Sequence, residues 1–250
     1  VVSWAVWLLL IVVSGAVLLL EVLCRAGVIA KTVLPAPSVM AGDLYRLLAS
    51  GTASADIGET LGNVAMAVIA SILLGFVGGV AIHAMPRVRR ALDPFLATYY
   101  AVPFFVFYPV LIVIFGLGAA PIVVIGTLFG VVAMLINTLN GLDRIPRVLL
   151  KTARVHGMDP VRTALMVKLP SAAPFLFTGA KLAIAYCFIG VIAAEFIMSS
   201  SGIGYSIAYA FNNFDNARMY ALMLFIIVLV TVLNAVLFTW ERRIMQRRRR

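Results

Sequence analysis

Charge is what this sequence has least of. Of 250 residues, 12% are Asp, Glu, Lys or Arg and 63% are hydrophobic; an average soluble domain carries about 25% charge. So few charges cannot coat a soluble globule of this size. Disorder is excluded on the same ground, because its marks are low hydrophobicity and high charge. Cys24 and Cys187 are the only cysteines. They stand too far apart to suggest a disulfide framework, and with His83 and His156 they match no zinc-ligand spacing. A Gly-x4-Gly-Lys-Ser/Thr phosphate loop is missing, so the chain has no ATP site of that kind. No Asp, His and Ser cluster supports a membrane enzyme. A polytopic membrane protein remains, in keeping with a mean hydropathy of +1.08.

Crossing a hydrocarbon core of about 30 Å takes roughly 20 apolar residues in a helix. Six stretches qualify, at 4–20, 61–84, 95–115, 120–137, 175–198 and 219–240, within one domain over 1–250. Each reads as apolar all round, without a polar stripe of period 3.6. The first is expected to be a retained span. It lacks a basic leader, and Glu21–Arg25 is not a small-residue cleavage site.

The basic residues are unevenly placed. Arg87, Arg89 and Arg90 follow the second span; Arg144, Arg147, Lys151, Arg154, Arg162 and Lys168 follow the fourth; Arg242, Arg243 and Arg247–Arg250 form the tail. The positive-inside rule then puts both termini in the cytoplasm. The net charge of +10 is thereby topological, and no soluble basic domain exists to bind nucleic acid. The terminal arginines are expected near anionic lipid headgroups.

On the outer side, Leu34-Pro35-Ala36-Pro37-Ser38 precedes an amphipathic run at 39–48. Ser38 is a candidate N-cap for this interfacial helix. Pro103 and Pro109 predict kinks in the third span, as packing features or as pathway lining. Gly75, Gly78 and Gly79 allow close helix approach.

The loop at 142–174 has helix punctuation. Pro146 suits a first helical position, and Gly157 suits the left-handed position after a helix end. Asp159-Pro160 reads as an N-cap with Pro behind it. The second short helix, 161–168, is expected to stop near Leu169 because Pro170 restricts the residue before it. Arg147, Lys151 and Arg154 share one face at i, i+4 and i+7. Periodicity alone leaves two readings, a hairpin that docks a protein or a loop resting on headgroups.

Lys151-Thr152-Ala153-x3-Gly157-x9-Val167-x-Leu169-Pro170 has the spacing of Glu-Ala-Ala-x3-Gly-x9-Ile-x-Leu-Pro. It resembles the EAA loop of the membrane permeases of binding-protein-dependent ABC importers. Leu34–Ser38, Asp93-Pro94 with Pro103, Pro109 and Gly116-Leu117-Gly118, and Ala194-Glu195 with Ser199–Tyr205 extend the likeness over most of the chain. The pattern is similar to the nitrate/sulfonate/taurine branch. Lys151 and Thr152 depart from it, standing where the family has Glu and Ala. The resemblance implies an all-α, type I importer bundle. It also implies a coupling role for Arg147, Lys151, Thr152, Ala153, Arg154, Gly157, Leu169 and Pro170. The implied partners are two ATPase subunits holding ATP and magnesium, a second permease (identical or homologous), an extracytoplasmic solute-binding protein and membrane lipid. The implied setting is a bacterial inner membrane, and no cofactor is expected on this chain.

Few polar groups lie within the spans. Glu195 has three readings: a hydrogen-bonded or ion-paired group near the outer gate, a pathway residue, or an exposed interfacial one. Lys181 lies 14 residues earlier, about 21 Å along a helix, and is expected to snorkel to the cytoplasmic surface. Asn137, Thr138, Asn140 and Asn234 are expected to hydrogen-bond between helices. Tyr186 lines a pathway or packs, His83 is interfacial, and Gly202-x-Gly204 permits a tight re-entrant turn. An ion-coupled carrier is the competing function, but such carriers usually show inverted repeats and midplane charges. The solute classes implied are nitrate, sulfonates, taurine or aromatic carboxylates.

Overall fold

The computed structural model describes residues 4–30 and 33–247. The expected headgroup contact of Arg248–Arg250 lies outside them. Among the described residues every regular element is helical: α1 (Trp4–Arg25), α2 (Pro37–Ala49), α3 (Ser54–Ala84), α4 (Pro86–Thr98), α5 (Tyr108–Phe115), α6 (Ala119–Asp143), α7 (Arg147–Val155), α8 (Pro160–Thr163), α9 (Leu169–Met198), α10 (Gly202–Asn212) and α11 (Asn216–Arg247). Among the described residues, four helical runs are long and apolar enough to cross a membrane: Ser54–Ala84, Ala119–Asp143, Pro160–Met198 and Asn216–Thr239. The pair Pro86–Ala101 and Phe104–Phe115, bent by 90°, makes up to a fifth.

The centre is built by α3, α6 and α9, which pack through small side chains. A Cβ on Gly130 would sit 2.5 Å from Cys187 Sγ and 2.6 Å from Ser71 Oγ, and one on Gly75 would sit 2.5 Å from the Val131 carbonyl oxygen. Only glycine lets these backbones approach so closely. Ile125, Ala183, Cys187 and Val191 are fully buried around them. The expectation that every span is apolar all round fails on α3. Its buried face carries Thr60, Asn63, Ser71, Gly75 and Gly79. Small and weakly polar residues at i, i+3 and i+4 barely lower the average hydropathy of a window, so the stripe is hidden from it.

Several boundaries differ from expectation for identifiable reasons. The third span breaks at Val102–Pro103. Pro109 introduces no kink; it sits in the first turn of α5, where its missing N–H breaks no bond. The second loop helix does not stop near Leu169. A π-helical turn, Ala164–Lys168, carries it straight into α9. The wider turn just ahead of Pro170 relieves the clash that a proline ring makes with the preceding turn. Between the predicted fifth and sixth spans, Gly202 and Gly204 open a helix, α10, tucked against α3, α9 and α11.

Ser38 is not the cap of α2. Ala36 takes that place, and the Ser38 hydroxyl (2.6 Å) and amide (3.0 Å) instead donate to the Glu21 carboxylate at the end of α1. Arg25 joins the same carboxylate at 2.5 Å. These donors hold the Glu21 carboxyl well below its ordinary value, at about 2. Beyond this staple α2 packs on α11.

Candidate functional site

The loop hairpin is the best-defined functional candidate. Arg147, Lys151 and Arg154 lie exposed along α7, with Thr152 exposed beside them, and none forms an ion pair within the described residues. The Thr152 hydroxyl donates back to the Val148 carbonyl at 3.1 Å. On the inner side of the same helix Ala153 is 2% exposed, and Ile145 at the base is 7% exposed. Gly157 takes φ +62°. Its amide donates to Arg154 O, and the Met158 amide donates to Ala153 O, both at 3.0 Å; these bonds close the helix end. Asp159 then caps α8 by accepting from the Arg162 amide at 3.4 Å. Leu169 is half-buried and Pro170 exposed in the first turn of α9. The Arg144 guanidinium lies over the Phe175 ring at 5.2 Å. A basic, outward-facing helix is thus fixed at its base to the longest helical run of the protein.

At the far end of that run lies a buried polar knot. Glu195 is completely buried. Its carboxylate accepts from Thr60 Oγ1 at 2.7 Å, Asn63 Nδ2 at 3.1 Å and the Gly204 amide at 3.2 Å. Thr60 in turn accepts from the Ile203 amide at 2.8 Å. The amides come from the first turn of α10, whose positive dipole end faces the carboxylate. Gly202 and Gly204 allow the approach. A Cβ on Gly202 would fall 2.5 Å from Glu195 Cδ, and one on Gly204 would fall 2.4 Å from the Ile192 carbonyl. Around this core Ser206 donates to Asp56, Ser201 donates to Glu59, and Arg218 lies 3.8 Å from Asp56. Glu195 therefore pins α9, α3 and α10 together, the hydrogen-bonding alternative among its three readings.

The third-span break forms an aromatic corner. Tyr99 donates to the Leu128 carbonyl at 2.9 Å and Tyr108 to the Met198 carbonyl at 2.7 Å, holding the two arms. Pro103 lies at the corner between them, and Phe104 packs on Tyr99 with centroids 4.6 Å apart. Tyr186 of α9 stacks on the half-exposed Tyr100 at 4.8 Å and 30°.

Other polar groups behave differently from expectation. Lys181 is ion-paired with Glu241 of α11, just beyond the predicted sixth span, a partner that the sequence reading does not name. Asn137 and Thr138 bond to carbonyls of their own helix, Ala133 and Met134, at 2.8 Å each. Asn140 and Asn234 are exposed. His83 lies with Nδ1 3.3 Å from Asp143, which also receives both terminal nitrogens of Arg89, Nη1 at 2.6 Å. Asp56, Thr60 and Asn63 escaped the sequence reading. Their spacing of i, i+4 and i+7 places them on one face of α3 and was the available signal.

Residues 71–250 match the family described as "Binding-protein-dependent transport system inner membrane component". The nitrate import permease of Leptolyngbya laminosa is 29% identical over 170 residues, covering 68% of this chain and 60% of that protein. The riboflavin transport permease of Chloroflexus aurantiacus is 29% identical over 243 residues (90% and 88%). A putative aliphatic sulfonates permease of Bacillus subtilis is 26% identical over 226 residues (90% and 82%). The fold is that of a type I importer permease. It resembles a chain of the methionine ABC transporter MetNI, solved in inward-facing conformations, with TM-score 0.61, 21% identity and coverage of 74% of this chain and 93% of that one. The chain accordingly belongs to the inner membrane components of binding-protein-dependent transport systems, a family of transport permeases.

Proposed function

We propose that this chain lines the pathway of an ATP-driven importer and is moved by a separate ATPase that grips residues 146–170. The observation that carries this is the hairpin. Three cations without an ion-pair partner among the described residues lie exposed on α7, while Ala153 and the closed turn at Gly157 fix the helix to the run Pro160–Met198. A loop that only joined two spans would need about 2–8 residues, and would need neither the cap, the buried alanine nor the continuous helix. In the full assembly two such permeases, identical or homologous, stand over two ATPases that hold ATP and magnesium, and a solute-binding protein delivers cargo from outside. Both termini face the cytoplasm. Nucleotide-driven closure biases a two-state equilibrium of the spans.

The solute is a small anion of the nitrate, sulfonate or taurine class, on the strength of the relatives named for nitrate and aliphatic sulfonates. The Tyr100–Tyr186 stack supports a second reading, a planar solute such as an aromatic carboxylate. That reading also suits the riboflavin permease, which is similar over most of both chains. The test is reconstitution of the chain with its ATPase and binding protein. Gly157→Pro and Ala153→Leu should leave ATP hydrolysis running while solute uptake falls at least about tenfold. Wild-type uptake in both variants, or uptake that follows a proton gradient without ATP, overturns the coupling reading in favour of an ion-coupled carrier.

A further inference from the structure

A cavity of about 590 Å³ opens beside the π-helical turn, between the ends of α3 and α6 and the start of α9. Its wall is hydrocarbon, with Phe76, Val80, Leu169 and Leu176 among the lining residues. Two of its lining residues are basic, His83 in the last turn of α3 and Lys168 at the end of the π turn. Lys168 is half-buried and forms no ion pair among the described residues. His83 Nδ1 already faces the Asp143 carboxylate at 3.3 Å, which leaves Lys168 as the cation available to a ligand. The stretch from Phe76 to His83 is about 10 Å long at 1.5 Å per residue. It joins an exposed apolar face of α3 that includes Leu73 and Val77, 59% and 61% exposed.

We propose that this cavity holds one anionic phospholipid, with an acyl chain along the α3 wall and the phosphate on Lys168 at the rim. The chemistry excludes simpler occupants. A free phosphate gains nothing from the apolar wall. A lipid without net charge fills the wall but leaves the half-buried ammonium without a counter-charge, an unfavourable arrangement. An anionic lipid satisfies both, as basic pockets between spans do at a membrane surface. Of the arginines that follow at the same end of α3, Arg89 is held by Asp143 and Asp93, and none of them lines the cavity, so the anionic preference rests on Lys168. Ala164 and Lys168 of the π turn line the cavity. An occupying lipid therefore braces the joint between the hairpin and α9. This inference needs only the membrane setting that family membership supplies, not the coupling reading.

The test is native mass spectrometry of the purified full chain, titrated with phosphatidylglycerol, with phosphatidylcholine of the same acyl chains, and with inorganic phosphate. Phosphatidylglycerol is expected to bind about fivefold tighter than phosphatidylcholine, the effect of one lysine beside an anionic headgroup. Lys168→Gln should abolish that preference and keep the weaker binding, while Val80→Trp, which fills the wall, should lower both. Equal affinity for the two lipids in the wild type overturns the proposal. So does an unchanged preference in Lys168→Gln, displacement of lipid by inorganic phosphate, or protection of the cavity only in dimers of the chain. Because neither ATPase nor solute is present, failure here is separate from failure of the importer reading.

Discussion

Removing the Glu195 side chain measures what the buried knot contributes. All three of its partners are donors, Thr60 Oγ1, Asn63 Nδ2 and the Gly204 amide, and the residue is fully buried. Glu195→Ala leaves them without an acceptor. An unsatisfied buried donor costs about 1–3 kcal/mol, so the loss should be at least about 3 kcal/mol. For a chain of this size that corresponds to a fall in Tm of about 6 °C or more. Glu195→Gln behaves differently. Its carbonyl can take the position facing Thr60 and Gly204, and its amide nitrogen then faces Asn63. A half-turn of the Asn63 amide offers an oxygen to that nitrogen and restores all three bonds. Only the charge assistance is lost, about 1 kcal/mol. Replacing Asn63 by Leu removes the rescue, so Glu195→Gln with Asn63→Leu should be worse than the sum of the single variants. Thermal unfolding of the purified full chain in detergent reads all four. A Gln variant as unstable as the Ala variant, or an Ala variant within about 1 °C of wild type, refutes the hydrogen-bonding account.

Three further outcomes follow from the same geometry. Gly130→Val should destabilise by about 1–3 kcal/mol through overpacking, because even its Cβ lies 2.5 Å from Cys187 Sγ; an unchanged Tm would mean that the α3–α6–α9 contact is loose. Asp143→Asn should change stability by less than about 1 kcal/mol, because the Arg89 and Asp143 side chains are 28% and 36% exposed and the pair is screened; a larger loss would mark it as a structural anchor. Glu21 has a lowered folded-state pKa, so its contribution is present above its ordinary value of 4.5 and is lost as the pH falls toward about 2. Ser38→Ala should raise that pKa toward 4.5, as an NMR titration of the Glu21 side chain would read.

The elements legible in the sequence were those written in local chemistry. Gly157 needed a left-handed turn, Asp159-Pro160 a helix start, and a long apolar run a span; each reads from neighbouring residues alone. What escaped depended on a partner distant in sequence. Thr60 and Asn63 look like ordinary polar residues before a hydrophobic run until Glu195, more than 130 residues away, comes to rest against them. The partner of Lys181, Glu241, is 60 residues away and equally out of view. The stop assigned at Leu169 failed for another reason: a local rule about proline was met by a local deformation, the π turn, that simple periodicity does not anticipate.

That π turn bears on how the two ends of the protein communicate. From Gly157 to Glu195 the chain is almost wholly one helical run, about 55 Å long at 1.5 Å per residue. The hairpin is bonded to one end of this run, and the knot with α3 and α10 fixes the other. A helix transmits a rigid rotation over such a length far better than a loop does, and the π turn is its one irregular joint within the described residues. On the proposed coupling, a push on α7 arrives at the Glu195 knot as tilt of α9 against α3. Gly126 and Gly130 of α6 and Gly190 of α9 hold α6 tightly against α9, and the two α6 glycines hold it against α3 as well, so the tilt cannot be absorbed by side-chain rearrangement alone. The bonds to Thr60 and Gly204 then have to strain or break for the outer end to change state. On that proposal, the stability of the knot sets how much work an ATPase has to supply.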